Sequence, residues 1–507
     1  MRRSLVVAAV TAALVLSSPG PGGAAEPDVP GATPVQAERT LATVQGLLEP
    51  ATAQRTTGER GDFSLAMREL FKALPSLGAD DRRTARAIFA RPTDGDADPV
   101  GDGYTVPAKK KCGKKVCVHW VESTADAPPN QAWVKKNLQV MGKVWKAEIG
   151  ELGFRKPVGD RKRGGNPKLD VYLKELGSRG IYGYCTPERK VRGHKWLASG
   201  YCVLDNDFAK AQYGAPPIDS LRVTAAHEFF HAVQFGYDYA EDKWLMEATA
   251  TWMEERVADD VNDNRQYLPY GQVGTPTRSL DTFNRQGFDQ YGNWAFFEYL
   301  SNRFGTGIVK QIWSRAGAYK GSGHQYSTKA VRTVLAGKRG GFTDVFRKFA
   351  AANTVPGRSY PEGGTWPVAP ATATWTLTKD ARKDSGAAKI DHMASRNYVV
   401  RPGDGIGGKG WKLRVTIDGP AKKTSPAAYL VVKRKKGIAR LPIGLSKKGK
   451  GSATIAFGGT VSWAKVVVVN ASTRFSCWRR TEWSCQGKAR DNNLKFAVTA
   501  TAFKRKG

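Results

Sequence analysis

The five residues His227-Glu228-Phe229-Phe230-His231 constrain this chain more than any other feature. Two histidines four apart stand one turn above each other only on an α-helix. There, two imidazoles can hold one Zn²⁺ from a rigid element, and the glutamate between them can take a proton from a bound water. With 6 His and 46 acids in 507 residues, chance gives roughly 0.006 such matches, so coincidence is a poor reading. The structural alternative is a buried helix with two core histidines.

A third ligand is expected nearby. Asp238 is close but is expected in a loop. Glu247, in "KWLMEATATWMEE", leaves room for the first helix to end near Gly236, a short loop and a returning helix. Ala248 and Ala250 would let the two helices approach closely. Glu254 is seven residues on and lies on roughly the same face, where it could orient a ligand histidine. Glu255 is expected to point to solvent. Of the other histidines, His119 reads as structural, His194 as part of a basic loop, His324 as able to reach a site, and His392 as surface.

Residues 1–25 read as a signal peptide. Arg2 and Arg3 form the basic start, residues 5–16 the apolar run, and Gly23 and Ala25 the cleavage site. No other apolar run is long enough to span a membrane, so a secreted, soluble protein is expected. Six cysteines agree with export. They allow 15 pairings, and nearest neighbours are expected: Cys112 with Cys117, Cys185 with Cys202, and Cys477 with Cys485. A thiolate metal site is the rival, but no CxxC pair is present.

Residues 26–110 read as a helical pro-segment or N-terminal subdomain, with "RPTDGDADPVGDGY" as its linker. From 111 to 365 the pattern is mixed. Strands are expected at "VCVHW", "LDVYLKEL", "YGYC" and "GYCVLD". Helices are expected from an Asp219 N-cap to about Phe235, then around 243–257 and 289–304. Residues 366–507 alternate like an all-β sandwich. That region carries 29 Lys and Arg against 7 Asp and Glu, about two thirds of the formal net charge of +33. Such an excess favours anionic partners, notably cell-envelope polymers. Specific nucleic-acid binding lacks any recognisable module.

"HEFFH" followed by "WLMEATATWMEE" resembles the gluzincin branch of zinc metallopeptidases, and the layout is similar to secreted bacterial metalloprotease-like proteins. The resemblance is best over residues 180–305. It implies a zincin-like α+β catalytic domain, Zn²⁺ on His227, His231 and Glu247, and Glu228 as the base. Many gluzincins carry an acid four residues after the ligand glutamate; here that position is Thr251, and Glu254 is the substitute. In "QYGNWAFFEYLSNRFG", Tyr291 stands where some gluzincins place an oxyanion-stabilising tyrosine. The implied activity is endopeptidase cleavage of a protein or peptide substrate, with the strand at 200–205 pairing with it by β-augmentation. The alternative is a cell-envelope or anionic-polymer binding protein with an inactive zincin-like domain. No loop of calcium-binding type is present.

Overall fold

A computed structural model describes residues 29–49, 63–95, 103–408 and 410–504. The signal-peptide reading lies outside the described residues. Helices α1 (Pro34–Leu48), α2 (Phe63–Ala73) and α3 (Ala79–Ile88) form the N-terminal part. Thr33 caps α1 through a reciprocal pair with Gln36. The linker reading fails at Arg91. Its side chain is buried and pairs with Asp160, Asp170 and Glu188 at 2.7, 2.7 and 2.8 Å. A buried cation needs such partners, and they bind this segment to the domain that follows.

That domain has one five-stranded mixed sheet. Its strands are β1 (Lys109–Cys112), β2 (Val116–Trp120), β3 (Leu169–Lys174), β4 (Gly183–Lys190) and β5 (Ala198–Asp205), in the order β1-β2-β3-β5-β4. β2, β3 and β5 are parallel, and the two outer strands are antiparallel to their neighbours. β5 therefore lies inside the sheet with both edges paired, and it cannot add a peptide strand; β4 is the edge. Every residue of β3 is buried, Asp170 and Lys174 included, as befits a central strand covered on both faces.

Helix α4 (Gln131–Trp145) packs on β2, and helix α5 (Pro217–Asp238) packs on β4, β5 and α4. Asp219 is not the N-cap of α5. Pro216 holds that position, with Pro217 at the first helical residue and Asp219 in the first turn, where its charge suits the helix dipole. The helix runs past Phe235 through Asp238. Its last turn is held by packing and by the Tyr237 hydroxyl, which accepts a hydrogen bond from the Arg155 amide at 3.0 Å. Helix α6 (Lys243–Val257) returns after a short turn. A turn at Asp289–Gly292 leads into α7 (Trp294–Phe304), followed by α8 (Gly307–Ala316), α9 (Thr328–Ala336) and α10 (Gly341–Asn353).

The C-terminal region is all-β. Eleven strands follow: β6 (Ala373–Leu377), β7 (Lys383–Ile390), β8 (Ala394–Pro402), β9 (Trp411–Asp418), β10 (Pro426–Arg434), β11 (Gly437–Ile443), β12 (Lys450–Ala456), β13 (Val461–Asn470), β14 (Phe475–Ser476), β15 (Lys488–Ala489) and β16 (Leu494–Lys504). A five-stranded sheet β11-β10-β13-β8-β6 faces a four-stranded sheet β12-β9-β16-β7. Leu413, Val415, Leu430, Val466, Val468 and Val498 fill the space between them. The unbroken apolar runs of β10 and β13 have a second cause. Their outward residues Tyr429, Val431, Val467 and Val469 join the core of the preceding domain, against α10.

His392 is not a surface residue. It is buried, bonding Asp281 at 2.9 Å and Asn492 at 2.6 Å where the two domains meet. The three nearest-neighbour disulfides form. Such bonds persist in oxidising compartments outside the cytoplasm. Among the described residues, no helix is long and apolar enough to cross a membrane.

Candidate metal centre

The i, i+4 spacing on α5 puts His227 and His231 on one face, their rings 4.9 Å apart. Helix α6 brings Glu247 against that face. Its Oε2 lies 3.2 Å from His227 Nε2, and its Oε1 lies 3.4 Å from His231 Nε2. One potential ligand atom from each of these three residues lies within 4.8 Å of the other two.

The opposite ring nitrogens are tied down. His227 Nδ1 donates to Glu254 Oε1 at 2.7 Å. His231 Nδ1 donates to Gln234 Oε1 at 2.7 Å. The Gln234 amide cannot turn round, because its Nε2 donates to the Met246 carbonyl at 2.9 Å and to Thr249 Oγ1 at 3.2 Å. With acceptors on both Nδ1 atoms, both Nε2 atoms face Glu247, where a cation that displaced their protons would find the lone pairs already aimed. Thr251 only returns its hydroxyl to the Glu247 carbonyl at 3.0 Å.

The electrostatics call for positive charge. Burial works against a charged His227, but Glu247 and Glu254 outweigh it and hold the imidazole well above its ordinary range. Burial would raise Glu247, yet His231 and His227 hold it below the usual carboxylate range. Burial pushes Glu254 up to about 7. Glu247 Oε1 is buried and accepts no hydrogen bond. A buried carboxylate oxygen without a donor is costly, and a divalent cation among these atoms would satisfy it. Two imidazole nitrogens and one carboxylate oxygen are the donor set of a catalytic zinc site.

Tyr291 reaches the same place. Its ring lies 6.0 Å from that of His227, and its hydroxyl hydrogen-bonds Glu247. Glu228 is not one of the three clustered residues. Its Oε2 accepts from the Ser64 hydroxyl at 2.7 Å and from the Cys185 amide at 3.1 Å. Glu255 is buried rather than solvated and accepts from Asn264 at 2.9 Å. Burial raises it to about 7. His324 lines a separate crevice with His194, Lys195, Trp196 and Lys320. His119 is structural, 2.7 Å from Asp170 beside Arg91. Gln234 and Ser64 were not anticipated. Gln234 stands three residues after His231, a spacing that marks one helix face. Nothing in the sequence marks Ser64.

The profile of DUF6055, described as a family of unknown function, matches residues 95–353, just over half of the chain. The chain belongs to this family. The DUF6055 segment contains the mixed sheet, α5, α6 and Tyr291; helices α1–α3 and the β-domain lie outside it. No curated protein matches the chain. The solved structures it is similar to include a periplasmic inhibitor of g-type lysozyme, PliG of Aeromonas hydrophila. That likeness has 12% identity and a TM-score of 0.15, and covers 26% of this chain and 98% of that one. Another is CorA, a surface-associated copper-binding protein of Methylomicrobium album, at 10% identity and a TM-score of 0.17, covering 27% and 98%. At these scores neither likeness bears on the fold or function of this DUF6055 chain.

Proposed function

We propose that this protein is a secreted, zinc-dependent endopeptidase of gluzincin type, with a zincin-like catalytic domain. The observation that carries the reading is the tautomer control at the two histidines. A helix with two merely structural histidines has no need of Glu254 and Gln234 on the Nδ1 atoms, nor of a donorless Glu247 oxygen between the Nε2 atoms. His227, His231 and Glu247 would hold the ion. Bound there, zinc would supply Lewis acidity and lower the pKa of a water towards neutrality.

The chain's own groups do the rest. Glu228, next to His227 and rotated by about 100° on the helix, accepts the proton of the attacking water and passes it to the leaving amine. The Tyr291 hydroxyl, held beside Glu247, donates to the oxyanion of the tetrahedral species. Edge strand β4, rather than β5, offers its unpaired side to an extended peptide. The basic start of the sequence and the three disulfides support export.

A second reading is favoured by one observation on the β-domain. The backbone bond from Lys422 to the Lys447 carbonyl joins two loops, gathering exposed Lys422, Lys423, Lys447, Lys448 and Lys450 at one end. That patch suits an anionic envelope polymer, whether as an anchor for the peptidase or as the whole function of an inert one.

Glu228→Gln separates the readings. It keeps the shape but cannot take the proton, so zinc content should stay equal while hydrolysis of an unstructured protein falls by about 10²–10⁴. Full zinc with equal turnover in both proteins would remove Glu228 as the base. Zinc without turnover on any of several substrates, after trimming of residues 26–110 as well as in the full chain, would favour the binding reading.

A further inference from the structure

We propose that helix α2 is an autoinhibitory plug. Its first turn fills the space between edge strand β4 and helix α5 and occupies Glu228, so the centre works only when α2 is displaced. This rests on the peptidase reading above and concerns how that site is regulated.

The contact is specific. Ser64 donates its only hydroxyl proton to Glu228 Oε2 at 2.7 Å and accepts from the Cys185 amide at 2.9 Å. The same amide reaches Glu228 Oε2 at 3.1 Å, closing a triangle of three polar groups. Cys185 belongs to β4, and its N–H is turned to α2 and α5 rather than to β5. A peptide laid along β4 needs donors on that side, and Ser64 has taken this one. Beside it, the Phe63 ring stands edge-on to Tyr184 of β4, with centroids 4.8 Å apart. Phe63 and Ser64 are both buried.

With the Ser64 hydroxyl and the Cys185 amide both on Glu228 Oε2, that oxygen is taken up and the carboxylate is held by the plug instead of being free to turn to a water beside a substrate carbonyl. Ser64 is nevertheless a neutral donor, and its hydroxyl bonds Glu228 and the Cys185 amide, neither of them a residue of the His227, His231 and Glu247 cluster. The plug can therefore sit on a loaded centre without competing for the ion.

The plug is anchored at both ends. Arg68 donates to the Tyr239 carbonyl at 3.2 Å and to the Glu241 carbonyl, both in the turn between the helices that carry the ligands. Beyond α3, Arg91 sits in its pocket of three carboxylates. Helices α1–α3 nonetheless lie outside the DUF6055 match. Residues that belong to the centre itself and residues that cover it thus separate along the chain.

The test compares the full chain with Ser64→Ala, with Phe63→Ala/Ser64→Ala, and with a chain cut at a site-specific protease sequence placed at residues 96–102. Zinc content, calorimetric affinity for a peptide hydroxamate, and amide exchange at Cys185 are measured on each. Zinc should be unchanged. The double variant and the cut chain should bind the hydroxamate at least tenfold more tightly. Cys185 exchange should rise at least tenfold, with β5 unchanged, and peptide turnover should rise in parallel. The cut chain carries no substitution in the plug and loses only the covalent link that keeps it at high local concentration, so it decides the matter if the double variant does not fold. Full zinc with hydroxamate affinity and exchange unchanged in the cut chain and the folded variants would overturn the plug alone. A chain that takes up no zinc in any arm would overturn the peptidase reading and the plug with it.

Discussion

Glu254 and Gln234 do the same work on different histidines, one with a carboxylate and one with an amide. Each accepts from an Nδ1–H at 2.7 Å. Removing either frees a ring to rotate and to change tautomer. Glu254→Ala and Gln234→Leu should each weaken zinc binding about 10–100-fold, read by competition with a chelator. Loss of Glu247 or of either histidine should abolish stoichiometric binding. His227, His231, Glu247 and Glu254 were legible because they lie on two helices whose period places them; Gln234, on the same face as His231, was passed over. Ser64 was not legible, because its partner is 164 positions away and one serine looks like another. Asp238 offers a test at this scale that does not involve the metal. Burial pushes it up to about 7, against Lys72 and Arg68. Between its ordinary 3.8 and 7, the folded chain keeps a proton that the unfolded chain has released. This residue's contribution to stability therefore falls as pH rises through that window. Asp238→Asn should match wild type near pH 4 and exceed it at pH 8 by on the order of 2–4 kcal/mol in denaturant unfolding.

At the scale of elements, helix types and positions followed from periodicity, and α6 has the expected bounds. Strand order did not. Sequence cannot tell that β5 is flanked on both sides, because pairing is non-local, so the edge was assigned to the wrong member of a hairpin. β3 shows the same gap: its pattern marks a strand but does not reveal that Asp170 is buried against Arg91 and His119. The hairpin itself is fastened by Cys185–Cys202, which pairs β4 to β5 in register. Replacing both cysteines by alanine should cost about 2–4 kcal/mol of stability, as closure of a loop of this size predicts. Exchange should rise in β4 before it rises in β3. Equal exchange in the two strands would mean that the bridge does not hold the edge.

Considered whole, the molecule is less divisible than its composition suggests. The change of texture near residue 366 correctly announced an all-β region. It gave no hint that β10 and β13 would bury their outer faces on α10. Nor did it show that the Cys485 amide would donate to Asp242 at 2.6 Å, in the turn between the ligand-bearing helices. A chain truncated at 366 should therefore aggregate, seen by size exclusion, instead of yielding a free peptidase domain. The basic patch is better probed in place. Changing Lys422, Lys423, Lys447 and Lys448 to Gln should weaken retention on a polyphosphate resin and flatten its salt dependence, with zinc content unchanged. Retention that is independent of salt in the parent would argue for a shaped pocket instead.

The cover and the centre also differ in when they can form. His227 and Glu247 are 20 positions apart, so the ligand cluster closes a short loop between neighbouring helices. Ser64 meets Glu228 across 164 positions, and Cys485 meets Asp242 across 243. Local contacts tend to form first, because the entropy of closing long loops must be met before distant contacts reward it. During folding the proposed ion site is thus built while it is still open to solvent. The helix that covers Glu228 and the domain that braces the turn arrive afterwards.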